Sequence, residues 1–314
     1  MSQRAAIFYF LFSLCVCFLL GCASAKPPPE PPVALRWAQR AAEQAAKLSQ
    51  QQNWPGAAQA WQTTADQFHL LHDRANEAVA LHNLAQAKRE VGKPEEARTL
   101  LEQAAKLNEE LSRGREWWRN QIALLQAEAQ LSDTAALEAR FQKLRPRARE
   151  ISDAAIQGLF LNELGLWQQS QRQFDEAEAA LKQAEQRFQS AKDDYGVAVV
   201  TANRAQLYES QKNFAAALDT WRVALARFEK LTDARGIAAA LAGQGRTLMA
   251  SSGDWEGSET LLRRAAQSYR VLNQPQRLAD TLRALEACLA AQHKEAEAAE
   301  VRAEWERLQS RPSK

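Results

Sequence analysis

From about Val33 onward, apolar residues recur three and four positions apart, with charged and amide residues between them. That spacing puts the apolar set on one face of successive amphipathic helices. Short polar breaks punctuate the pattern. Gly92-Lys93-Pro94 places a proline at the first turn of a helix, and Ser132-Asp133 and Gly253-Asp254 each offer an N-cap. The breaks predict seven helix pairs, over 36–51/55–71, 75–91/94–111, 115–130/133–145, 153–170/175–190, 195–211/214–231, 235–251/255–272 and 275–292/294–309. Ala, Leu, Gln, Glu and Arg dominate, all good helix formers, and isoleucine occurs only at positions 7, 122, 151, 156 and 237, too few β-branched residues for a large sheet.

The pairs repeat. A small residue early in the second helix of each unit falls at Ala57, Ala97, Ala136, Ala177, Ala217, Ser258 and Ala296, at intervals of 40, 39, 41, 40, 41 and 38. Another lies twelve or thirteen residues earlier, at Ala45, Ala85, Gly165, Ala205, Gly245 and Ala284. Bulk follows four positions after the second small residue, at Trp61, Leu101, Leu181, Trp221 and Leu262, and alanine seven after it, as at Ala104 and Ala184. Small residues let two helices approach, and large ones fill the groove opposite. One such pair cannot bury its apolar face alone, so the pairs must stack into a solenoid.

With the turn aromatics Trp54, Phe174, Phe214 and Trp255, and Tyr208 late in a first helix, this pattern resembles tetratricopeptide repeats over roughly residues 35–309. The period of about 40 exceeds the usual ~34 and is similar to the longer-helix members typified by kinesin light chain. The resemblance implies an all-α, right-handed superhelical solenoid whose first helices face a concave groove that holds an extended peptide or partner helix. Carried onto this chain, it assigns that groove to His82, Asn83, Gln86, Arg89, Asn162, Asn203, Gln206 and Arg246. Trp118, near the start of the third unit's first helix, is a separate interface candidate, beside an inter-repeat core reading for at least one of Trp117 and Trp118. Amides suit a peptide backbone, and arginine suits carboxylates. The third unit departs from the pattern. Leu124 stands where a small residue is expected, Arg140 and Lys143 fall on the apolar face, and Pro146 should end the second helix early.

Ahead of the repeats, Arg4 precedes an apolar run from Ala5 to Leu20, followed by Leu19-Leu20-Gly21-Cys22. A charged start, a short apolar core and small residues at the end describe a secretory leader. Leu-Leu-Gly-Cys resembles the lipobox of bacterial lipoproteins, which implies cleavage before Cys22, its acylation and a membrane anchor. Ala23, in place of an aspartate, implies sorting to the outer membrane, facing the periplasm. The expected organisation is a signal peptide over 1–21, an acylated cysteine and proline-rich linker over 22–34 and the repeat domain over 35–314. The segment Lys26-Pro27-Pro28-Pro29-Glu30-Pro31-Pro32 reads as an extended spacer.

Charge and motif content narrow the function. Forty basic against 38 acidic residues speaks against nucleic acid as a partner. Cys15 and Cys17 lie in the leader, so Cys288 is the sole free thiol expected in the mature chain, and its apolar neighbours predict a buried structural role. No phosphate loop, HExxH or GxSxG occurs, and Gly243-Gln244-Gly245 falls mid-helix, where close packing explains it. His69 and His72 lack the further ligands that zinc requires. No catalytic, metal or cofactor site is therefore expected. The expected function is a membrane-anchored scaffold for another envelope protein or peptide; a helical lipid- or glycan-binding lipoprotein is the alternative.

Overall fold

The computed structural model describes residues 32–309. The leader, Cys22 and all of the proline-rich spacer except Pro32 lie outside them. Among the described residues there are fourteen α-helices and no strand. The pairs are α1 (Val33–Gln50) and α2 (Trp54–Leu70), α3 (Arg74–Glu90) and α4 (Pro94–Glu110), α5 (Gly114–Gln130) and α6 (Thr134–Leu144), and α7 (Ala154–Ser170) and α8 (Phe174–Ser190). They continue with α9 (Asp194–Ser210) and α10 (Phe214–Lys230), α11 (Ala234–Ser252) and α12 (Trp255–Val271), and α13 (Pro275–Ala291) and α14 (Glu295–Gln309). The expected all-α repeat solenoid is the observed architecture. Helix α1 starts three residues before the sequence reading placed it, at the end of the span assigned to the linker.

A 20-residue module underlies the regularity. Left-handed backbone recurs at residues 52, 72, 92, 112 and 132, then at 172, 192, 212 and 232, and finally at 253, 273 and 293. At each of these except Gly253, the next residue's N–H reaches five residues back, as Asn53 does to the Leu48 carbonyl (2.9 Å) and Asp193 to the Phe188 carbonyl (2.9 Å). This closes a Schellman-type end and satisfies carbonyls that a helix terminus leaves unpaired. That next residue is often the following helix's cap. The side chains of Asn53, Asp73, Asp133, Asp193, Asn213, Asp233 and Asp254 each accept an N–H from the first turn.

The odd-numbered helices touch one another from unit to unit, whereas even-numbered helices pack mainly on odd-numbered neighbours. The odd set therefore lines the inside of the curve. Between units the core is built from the large residues of the second helices, Trp61, Leu101, Leu181, Trp221 and Leu262, set against fully buried alanines.

The third unit corrects the sequence reading. Helices α4, α6, α8 and α10 start at residues 94, 134, 174 and 214, so the register is a constant 40 through this region. The counterparts of Ala85, Ala97 and Ala104 are then Leu125, Leu137 and Leu144, all buried, not Leu124 and Ala136. The bulk position belongs to Phe141 (1% exposed), not to Arg140. Lys143 is exposed rather than on the apolar face. Arg140 lies beside the core and makes a bidentate pair with Glu128, itself 1% exposed, with Nε 2.8 and 2.9 Å from the two carboxylate oxygens. Pro146 ends α6 after eleven residues, and a 3₁₀ helix over Arg145–Glu150 follows. Larger side chains and a shorter second helix leave α7 packed directly on α5.

Candidate functional site: the concave channel

With the register fixed at 40, the inner face of each odd helix can be followed as rows of equivalent positions. One row is apolar except at its second place: Val79, Arg119, Leu159, Val199 and Ala239. Val79 and Leu159 are 39% and 37% exposed, high for large aliphatic side chains. A second row reads Asn83, Ala123, Glu163, Asn203 and Gly243, and a third reads Gln86, Gln126, Leu166, Gln206 and Arg246. The channel wall is thus amide-rich, with one aliphatic strip and a few charges.

Part of this wall is already bonded to itself. Arg89 Nη1 donates to Gln126 Oε1 (2.7 Å), and Gln126 Nε2 donates to Glu163 Oε1 (2.9 Å). From the other side, Asn203 Nδ2 donates to Asn162 Oδ1 (2.7 Å), and Asn162 Nδ2 donates to Glu163 Oε1 (3.4 Å). The donors of α3, α5, α7 and α9 all run toward one carboxylate. Burial pushes the Glu163 carboxyl above its usual range, and the bonds from Gln126 and Asn162 oppose that shift. A ladder of this kind joins four units and fixes their mutual register, because releasing any rung strands a half-buried polar group.

Beside the ladder sits a buried polar triad. Asn108 Nδ2 donates to Asn120 Oδ1 (2.8 Å), and Asn120 Nδ2 donates to His82 Nδ1 (3.0 Å), which puts the imidazole proton on Nε2. Burial, with Arg119 and Arg89 adding to it, lowers the His82 pKa to about 4. Arg119 is exposed, and partial burial with the charge of Arg115 beside it lowers its pKa. It forms no hydrogen bond or ion pair among the described residues. A separate cleft of about 300 Å³ opens where α6 is cut short, lined by Asn108, Arg113, Trp117, Arg147, Ile151 and Asp153. The Arg147 guanidinium lies 4.3 Å from the Trp117 ring centroid there.

The groove residues named from the sequence therefore divide. Asn83, Gln86, Gln206 and Arg246 stand on the inner face with no side-chain hydrogen bond among the described residues. Arg89 and Asn203 lie on the same face but belong to the ladder, and His82 belongs to the triad. Two expectations are corrected. Asn162 is 5% exposed and Trp118 is 4% exposed, so neither faces a partner. Trp118 is the counterpart of Ala78, Ala198 and Ala238, all at 0% exposure, and its indole fills the space vacated by α6 in edge contact with Trp117 (5.1 Å) and Phe160 (5.7 Å). Sequence reasoning missed Arg119, Gln126 and Glu163. The 40-residue spacing from Val79, Gln86 and Asn203 points at each of them; the one-residue slip in unit three hid the correspondence for Arg119 and Gln126, and Glu163 in unit four was passed over although its register was read correctly.

Cys288 is buried, and its Sγ donates to the Trp255 carbonyl (3.1 Å). Burial raises its pKa, which suits the structural role read from its neighbours. No group of three His, Cys, Asp or Glu side chains among the described residues is placed to hold a metal ion.

The tetratricopeptide-repeat family matches this chain over residues 78–112 and 153–230. No curated protein matches it. Among solved structures, aspartyl phosphate phosphatase F from Bacillus subtilis is similar at a TM-score of 0.69 and 14% identity, covering 89% of this chain and 72% of that one. The apo form of RapI gives 0.66 at 12% identity, with 87% and 97% covered. A Rap protein complexed with competence and sporulation factor gives 0.62 at 13% identity, with 85% and 78% covered. At these identities the likeness is one of fold.

Proposed function

We propose that this protein is a non-enzymatic repeat scaffold, anchored through Cys22 to a bacterial membrane, by preference the outer one facing the periplasm, and that it holds an extended segment of another envelope protein or peptide in its concave channel. The observation that carries this reading is the pair of adjacent rows, one amide-rich and one aliphatic, on the inner face of the odd helices. Unbonded amides at Asn83, Gln86 and Gln206 match the alternating donors and acceptors of a peptide backbone, and the exposed aliphatic strip beside them suits its side chains. The amide-rich wall supports a peptide over a lipid chain. The Rap protein solved with competence and sporulation factor supports it further, as a similar solenoid complexed with a partner.

The test is in-cell crosslinking and recovery of the full-length protein, with two sets of variants. Asn83→Ala, Gln86→Ala and Gln206→Ala together should abolish a dominant crosslinked partner while leaving the helical content unchanged. Partner recovery indifferent to these changes would remove the channel assignment. Cys22→Ala should release the protein from membranes, and continued membrane association would remove the anchor.

A further inference from the structure

A solenoid's contacts run between neighbouring units, and residues far apart in sequence stay far apart in space. One side chain breaks that rule here. Arg235, at the start of α11 in the sixth unit, reaches the rim of the first and second units. Its Nε donates to Gln52 Oε1 (3.1 Å), 183 residues away in the turn between α1 and α2. Its Nη1 lies 3.5 Å from Glu90 Oε2 at the end of α3. Its guanidinium sits 5.7 Å from the Trp54 ring centroid. The same neighbourhood takes in Tyr195 of α9, on whose hydroxyl the charges of Glu90 and Arg235 both act.

We infer that Arg235 is a latch that closes the superhelix on itself after five units, converting the concave face into a tube, and that its release widens lateral access to the channel. The geometry fits a contact made to open. No helix of units one or two packs closely on α11, so the closure rests on side chains alone. Gln52 and Glu90 are exposed, and water replaces their bonds when the latch parts. Within the closed latch, Arg235 Nη2 and Trp54 Nε1 are buried donors with no acceptor, a cost that opening removes. A small change of pitch, spread over five unit-to-unit interfaces, is enough to separate the two rims. The latch requires no bound partner, so its test stands apart from the proposed channel occupant.

The experiment reads channel access directly. In the full chain with its four cysteines replaced by serine or alanine, Leu159→Cys places one thiol on the inner face of α7. Modification by a small maleimide is compared with modification by a long polyethylene glycol maleimide. An open state populated at roughly a tenth or less becomes the main state in Arg235→Glu, so the polymer should react at least about tenfold faster while the small reagent is unchanged. Equal polymer rates with and without Arg235→Glu would overturn the latch. Spin labels at Gln50→Cys and Thr232→Cys should give a short, narrow distance that lengthens or broadens in Arg235→Glu, and an unaltered distribution would overturn it equally. Should Arg235→Glu fail to fold, Gln52→Ala with Glu90→Gln leaves Arg235 in place and carries the same expectations.

Discussion

Replacing Gly243 by alanine should destabilise this protein, although the same change in an open helix stabilises. Gly243 lies within α11, where alanine gains about 1 kcal/mol over glycine. A Cβ built there, however, falls 2.3 Å from Trp221 Cε2 and 2.5 Å from its Cζ2. The indole cannot swing aside freely. It is 5% exposed, and its Nε1 donates to Glu209 Oε1 at 3.1 Å. Overpacking costs about 1–3 kcal/mol, and a lost hydrogen bond to a charged acceptor costs about 1.5–3 kcal/mol. The net expectation, the two costs less the alanine gain, is a loss of about 1.5–5 kcal/mol, read as a lower urea midpoint by circular dichroism. Gly114→Ala supplies the control, since nothing lies within 4 Å of a Cβ at that exposed helix start. It should be neutral or gain up to about 1 kcal/mol. Trp221→Leu makes room for the new methyl, so the double variant should be more stable than the sum of the singles by at least about 1 kcal/mol. A Gly243→Ala protein as stable as its parent would refute the close-packing argument for this glycine.

Three further outcomes are expected. His82 is held neutral, with a folded pKa of about 4 against about 6.5 unfolded. Its contribution to stability is therefore complete above about pH 6.5 and is lost as pH falls toward 4, by up to about 3 kcal/mol, and His82→Gln should flatten that part of a stability–pH profile. Glu163 acts with the opposite sign: its raised carboxyl pKa favours the folded state at low pH, so Glu163→Gln should raise the denaturation midpoint at neutral pH. Arg140→Ala should cost about 3–5 kcal/mol by stranding the buried Glu128 charge, and adding Glu128→Leu should recover much of the loss in the same denaturation assay.

The sequence by itself carried the helices, their pairing and their repetition, because these depend on local spacing. An apolar face every three and four residues, a small residue where two helices meet and an Asx or proline at most starts are all written within one 20-residue module. Ala57, Trp61 and Ala217 could be assigned for that reason. The third unit shows where local reading fails. Leu125, Leu137 and Phe141 obey the same register with larger side chains, and a search for small residues slid one position to Leu124, Ala136 and Arg140. The channel was legible only as a face. Which of its polar groups are free and which are spent depends on neighbours 37 to 41 residues away, as with Gln126 on Glu163 and Asn203 on Asn162. Trp118 appeared as an interface candidate because a tryptophan in sequence does not show the space a shortened α6 leaves for it. The meeting of Arg235 with Gln52 was beyond any local pattern. It follows from the pitch summed over five interfaces, a quantity set by how every unit packs on the next and encoded by no single one.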